Sequence, residues 1–158
     1  MTPTTESCKP HRGAASARGR VWEGAKDHLA RRGLQHPDHC PLCDQDDETV
    51  QHVLVNCVVA REVWFHALAK VGLQELTPSA DEQSFRKWWR QALRRVPKEK
   101  KRGFNTLVML VSWAIWKRRN RCIFDGASPQ PGAIISDIAE EASLWRMAGV
   151  MRLGELMS

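Results

Sequence analysis

A mainly α-helical chain built around one small metal knot is the fold that this sequence predicts. Three observations predict it. Cys40, Cys43, His52 and Cys57 form a C-x2-C-x8-H-x4-C run. Downstream, apolar residues recur every three or four positions, the period of a helix that buries one face. No stretch of alternating apolar and polar residues reads as a convincing strand, and no internal repeat is present.

Two cysteines separated by two residues turn a tight loop and present both sulfurs to one ion. Zn²⁺ accepts thiolate sulfur and imidazole nitrogen in a tetrahedron, and four protein ligands close it. A closed site has no position for water or substrate, so the expected role of a single zinc is structural. The bland alternative is three buried thiols acting as small hydrophobes and one surface His. His39 and His36 are spare imidazoles. His39 adjoins Cys40, and neighbouring residues rarely reach the same ion, which favours His52. Five cysteines, an odd number, and an opening without an apolar signal-peptide core fit a reducing intracellular setting, nucleus or cytoplasm, better than secretion.

Residues 1–20 nearly lack large apolar side chains and are expected to form a disordered tail, because they cannot bury enough surface to offset ordering entropy. Val21, Trp22, Ala25, Leu29 and Ala30 recur at helical spacing before Gly33, which predicts a first helix over 21–34. Pro37 and Pro41 then stiffen the approach to the first ligand. Asp46-Asp47-Glu48-Thr49 reads as the start of a second helix, with a capping Asp and acids over its positive end. His52 falls in its first turns. Cys57, five residues on, is rotated by about 140° in a regular α-helix. The two cannot then aim at one ion, so a bend or a switch to tighter geometry is expected between Val55 and Val58. Val59, Val63, Trp64, Ala67, Leu68 and Val71 make the next apolar stripe, ending at Gly72.

After a linker at 77–80, Asp81 or Ser84 is placed to cap a helix running to Val96, with Phe85, Trp88, Trp89 and Leu93 as its apolar positions. Pro97 stops it. A long helix lies within 98–121, with Phe104, Leu107, Val108, Val111, Ile115 and Trp116 inward. A loop at 126–132 carries two prolines, and a final helix over 133–149 turns Ile134, Ile138, Ala142 and Trp145 inward. The longest apolar run, 107–116, is half of the roughly twenty residues that a membrane helix needs. No membrane partner is expected.

Charge is unevenly spread. Residues 86–121 hold 13 Lys and Arg against one acid, Glu99, a local net of +12, so the remainder carries −6 of the chain's total of +6. That asymmetry points to a polyanion-facing side. Phosphate contacts are expected from Lys98, Lys100, Lys101, Arg102, Lys117, Arg118, Arg119 and Arg121, with RNA or single-stranded DNA as the ligand. An exposed Trp, at 88 or 89, would stack on bases. Adjacent helical residues point about 100° apart, however, which favours one of this pair in the core and the other at a helix edge. The competing reading of the basic stretch is a solvated helix surface. No Ser-His-Asp set, paired carboxylates or phosphate loop stands out, so no catalytic residue and no enzymatic activity are expected.

Several of these residues also carry a resemblance. Leu29-Ala30-Arg31-Arg32-Gly33, Pro37-Asp38-His39-Cys40-Pro41-Leu42-Cys43, Glu48-Thr49, His52-Val53-Leu54, Cys57 and Arg61-Glu62-Val63-Trp64 resemble the reverse-transcriptase zinc-binding domain of plant LINE-type retroelements. Trp113-Ala114-Ile115-Trp116-Lys117-Arg118-Arg119-Asn120-Arg121 is similar to the segment that follows this domain in grass retroelement proteins. The resemblance spans about residues 21–145. It implies that Cys40, Cys43, His52 and Cys57 are the zinc ligands. It also implies an accessory position beside a polymerase domain, and that domain as a partner. No palm-type aspartate pair or endonuclease constellation accompanies it. The division that follows is a tail at 1–20, a zinc-binding domain at 21–76 and a basic, Trp-rich helical region at 81–150. The function expected is a zinc-binding accessory module that contacts nucleic acid and does not polymerise. The alternative is a structural or protein-interaction remnant.

Overall fold

The computed structural model describes residues 38–147, so the expected tail at 1–20 and the expected helix at 21–34 lie outside the described residues. The described chain is helical throughout, apart from one isolated antiparallel bridge between His39 and Asp47 at the base of the Cys40–Cys43 loop. A π-helical turn, His52–Asn56, leads into α1, Val58–Ala69. Then come α2, Phe85–Arg95, α3, Lys101–Phe124, and α4, Pro131–Met147.

Each boundary has a local cause. The Thr49 hydroxyl accepts from the His52 N–H at 2.9 Å, so Thr49, not an Asp, caps the first helical turn. Asp46 and Asp47 belong to the metal loop instead. Helix α1 ends in a Schellman motif: Leu73 N–H bonds the Leu68 carbonyl at 2.9 Å and Gly72 N–H that of Ala69 at 3.1 Å, with Gly72 left-handed at φ 73°. Ser84 caps α2 by accepting from the Lys87 N–H. Val96 is extended, as the residue before Pro97 must be, and the chain turns through a short 3₁₀ segment, Lys98–Lys100, into α3. Pro131 opens α4 at its first position, where a missing N–H costs nothing.

Helix α3 is the axis of the core. Phe104, Leu107, Val108, Leu110, Val111, Ala114 and Ile115 are buried along it, a wider face than the expected stripe. Helices α1, α2 and α4 all pack against it, and α4 also crosses α1. Trp64 of α1 meets Trp88 of α2 edge to face, with ring centroids 4.9 Å apart. Such a pair adds about 0.5–1.5 kcal/mol beyond its buried area. The Trp88 indole N–H donates to the Leu76 carbonyl at 2.8 Å, so this buried ring leaves no polar atom unpaired. One apolar cluster joins Cys40, Val53 and Trp64 to Phe104, Cys122 and Ile134, so the metal segment and the C-terminal helices share a single core. None of the described helices is long and apolar enough to cross a membrane.

Gly72 is the position where backbone conformation is most demanding in α1. A methyl group there would meet no atom within 4 Å, so an alanine is opposed by its positive φ alone. Gly72→Ala is expected to cost about 1 kcal/mol, lowering the thermal midpoint by a few degrees with helix content unchanged, as read by circular dichroism.

Candidate metal centre

Two backbone bonds shape the loop that carries the first cysteine pair. Cys40 N–H donates to the Asp46 carbonyl at 2.8 Å, and Asp44 N–H returns to the Cys40 carbonyl at 2.8 Å. Asp44 sits in the left-handed region at φ 55°, which a short polar side chain tolerates better than a branched one. The result is a tight knuckle with the Cys40 and Cys43 sulfurs on its inner side.

His52 and Cys57 come from the next element, and the structure corrects the expected geometry between them. The turn is wider than α, not tighter. Cys57 N–H bonds the His52 carbonyl at 2.8 Å, five residues back, which is the π pattern. That wider turn brings residue i+5 beneath residue i. Cys57 itself is extended (ψ 132°), so the expected bend falls there, and α1 starts afresh at Val58. Breaking the helix frees carbonyls, and α1 side chains satisfy them. The Trp64 indole donates to Leu54 O at 2.7 Å and Arg61 Nε to Asn56 O at 3.3 Å. Gln51 and Asn56 fix the loop ahead of α2 through Glu82 O, and Gln51 Oε1 also accepts from the Phe85 N–H.

The ligand atoms of Cys40, Cys43, His52 and Cys57 lie within 4.8 Å of one another. The Cys40 and Cys57 sulfurs are 3.9 Å apart, and Cys43 Sγ is 3.2 Å from His52 Nε2. A tetrahedron with Zn–S bonds of about 2.3 Å has edges of about 3.8 Å. The separations and the donor set both fit one Zn²⁺. Cys40 and Cys57 are fully buried, and His52 is nearly so. The other imidazole nitrogen, Nδ1, faces the exposed Asp46 carboxylate at 3.8 Å, beyond direct hydrogen-bond distance.

Electrostatics alone would keep the Cys40 and Cys43 thiols protonated. The Cys57 sulfur beside it, and then burial, push the Cys40 thiol well above its ordinary range, and burial raises Cys43. A divalent cation reverses that balance, because a coordinating thiol loses its proton. Three thiolates and a neutral imidazole close the coordination sphere at a site charge of −1, which suits scaffolding and leaves no open position for chemistry. His39 stays outside the set, half-exposed beside Asp47. Cys122 is buried on α3, away from it. His36, Cys8, Arg31 and Arg32 lie outside the described residues.

With the geometry in place, comparison with known proteins gives a match over part of the chain. Residues 17–64 match the family described as zinc-binding in reverse transcriptase, and all four candidate ligands fall inside the match. Over those residues the chain is similar to that zinc-binding domain. No curated protein and no solved structure matches the chain. The zinc-binding domain is an accessory module and not a catalytic one.

The structure divides the expected phosphate-binding residues into two groups. Arg119 turns inward onto Glu48, directly ahead of the metal-site helix, with its guanidinium 5.2 Å from the Trp116 ring centroid. Arg118 pairs with Asp137 of α4 and Lys117 with Glu141. The side chains of Arg118 and Arg119 are only 7% and 6% exposed, so neither is available to an external phosphate. Arg121 is half-exposed, 3.8 Å from Asp137. Lys98 and Arg102 are exposed, and Lys100 and Lys101 are half-buried. Of the two stacking candidates, Trp88 is core at 5% exposure, while Trp89 sits half-buried with its indole donating to Asn105 Oδ1 at 2.8 Å. Sequence reasoning could not place the inward arginines, because their carboxylate partners stand 71 and 19 residues away in the chain.

Cys43→Ala is expected to abolish zinc retention and lower helical content, since binding of a structural zinc is itself folding free energy. Metal analysis with far-UV circular dichroism checks both. Stoichiometric zinc in a Cys40/Cys43 double alanine variant would contradict the assignment. Glu48→Ala should cost about 3–5 kcal/mol, because it strands the buried Arg119 charge. The pair Glu48→Leu with Arg119→Met should cost far less, and a denaturant double-mutant cycle with no coupling would show that the pair contributes nothing.

Proposed function

We propose that this chain is a zinc-stabilised accessory module of a reverse transcriptase that holds single-stranded RNA or DNA on the outer face of α2 and the start of α3, with a polymerase domain as neighbour. In this reading Cys40, Cys43, His52 and Cys57 hold the zinc and no residue is catalytic. The finer placement, in LINE-type elements of plants, rests on the resemblance of the motifs between Leu29 and Trp64 and of the Trp113–Arg121 segment, and an intracellular setting keeps the thiols reduced for the metal.

One observation carries the nucleic-acid part. Residues 86–102 contain nine Lys and Arg and a single acid, Glu99. Arg86, Lys87, Arg90, Arg94, Arg95, Lys98 and Arg102 are exposed, and no ion pair to a carboxylate joins any of the nine among the described residues. Arg86, Arg90 and Arg94 repeat every four residues, so they line one side of α2. The cations at 117–119, by contrast, are neutralised internally. A concentrated, uncompensated basic face next to a reverse-transcriptase-type zinc domain is what phosphate binding requires.

Fluorescence anisotropy of labelled single-stranded RNA and DNA across a salt series tests this. Affinity should fall steeply with salt. Replacing Lys98, Lys100, Lys101 and Arg102 with Gln should reduce the log–log slope by about 0.7 for each phosphate that is no longer neutralised, with zinc content unchanged. Lys117→Gln should leave the slope as it is. Absence of binding at low salt would replace this reading with that of a structural scaffold docking on another protein.

A further inference from the structure

Between α2 and α3 runs an open groove of about 590 Å³, within the roughly 300–1,000 Å³ usual for ligand sites. Phe85 and Trp89 of α2 form one wall. Met109, Trp113 and Trp116 of α3, Trp145 of α4, and Val50 and Leu54 of the helix at the metal site also line it. Four of the chain's seven Trp therefore line one surface depression. Met109 is 57% exposed and Trp113 49% exposed at its mouth. The Trp89 ring is held in place by its bond to Asn105.

We propose that this groove takes unpaired bases of a single-stranded nucleic acid by stacking, while the cations at its rim hold the adjoining phosphates. The inference rests on the nucleic-acid reading above and names the site within it. Its occupant is argued from charge. On α2 the exposed Arg86 and Arg90 directly follow the wall residues Phe85 and Trp89. On α3 the exposed Arg102 lies on the same stripe as Met109 and Trp113, at i, i+7 and i+11, about 16 Å along the axis from Trp113. Flat π faces inside a basic rim match a strand that alternates bases with phosphates. A purely apolar partner would leave that rim without a counterpart.

The full chain loaded with zinc is titrated with an oligothymidylate and with an abasic strand of the same length and charge. The base-bearing strand should bind roughly five- to a hundredfold more tightly, as expected for one stacked base. Trp113→Ala should remove most of that preference, leave abasic binding and the salt slope unchanged, and keep its zinc. Trp113→Phe should restore the preference. Phe65→Ala, which removes an exposed aromatic ring outside the groove, should change it little. Equal binding of both strands by the intact protein, or an unaltered preference in Trp113→Ala, would overturn the groove while leaving the basic face intact as a phosphate site. Failure of the intact protein to bind either strand would remove the nucleic-acid reading and this inference together. Loss of a concentration-dependent dimer in Trp113→Ala, or a lowered thermal midpoint with strand binding untouched, would identify a second copy or another segment of the chain as the true occupant.

Discussion

His52 and Cys57 must reach one point in space although five residues separate them. An α-helix forbids this, and the chain resolves it with a π turn closed by the Cys57 N–H to His52 carbonyl bond. Much of the local structure follows. The helix has to break at Cys57, α1 has to restart at Val58, and the carbonyls exposed by the break need donors. Trp64 and Arg61 supply them from the first two turns of α1, which fixes the direction in which α1 leaves the metal site. Trp64 thus caps the broken turn with its N–H and packs on Trp88 with its ring, tying the metal site to the core in one side chain.

The second tie is ionic. Glu48 lies between the metal loop and the helix that begins at Val50, and Arg119 reaches it from the far part of α3. Arg118, one residue earlier, is held by Asp137 and the Ala133 carbonyl on α4. Neighbouring arginines pointing into opposite partners lock α3 against both the metal segment and α4. Buried pairs of this kind often contribute little net stability compared with apolar replacements, because desolvation consumes most of the attraction. Their consequence here is registry. A slip of one turn along α3 would strand two buried guanidinium groups.

The same neutralisation sorts the chain's charge. The +12 of residues 86–121 does not form one continuous surface, because the cations at its C-terminal end meet acids from elsewhere in the fold. What stays uncompensated is the hairpin of α2 and the start of α3. Two of its exposed cations, Arg86 and Arg90, directly follow the groove residues Phe85 and Trp89 along α2. Cys40 and Cys57 of the candidate zinc site belong to the same apolar core as the helices that carry these cations.

The sequence by itself determined the metal site's donors, because chemistry and short spacing suffice where all ligands fall within eighteen residues. It likewise determined Gly72 and Pro97 as helix boundaries and narrowed the cap of α2 to Asp81 or Ser84, since caps and breakers act over three or four residues. That one tryptophan of the 88–89 pair is core and the other at a helix edge was also legible, because a helix must point adjacent side chains apart; which is which was not. The tertiary structure alone decided three things. It chose a π turn at His52–Asn56, where local rules expose the conflict between spacing and geometry but not its solution. It moved the cap from an Asp to Thr49, because the backbone of Asp46 is needed to close the cysteine knuckle. It turned Arg118 and Arg119 from surface cations into buried ones. Local sequence shows a basic run, and whether a guanidinium meets water or a carboxylate depends on which distant helix packs beside it.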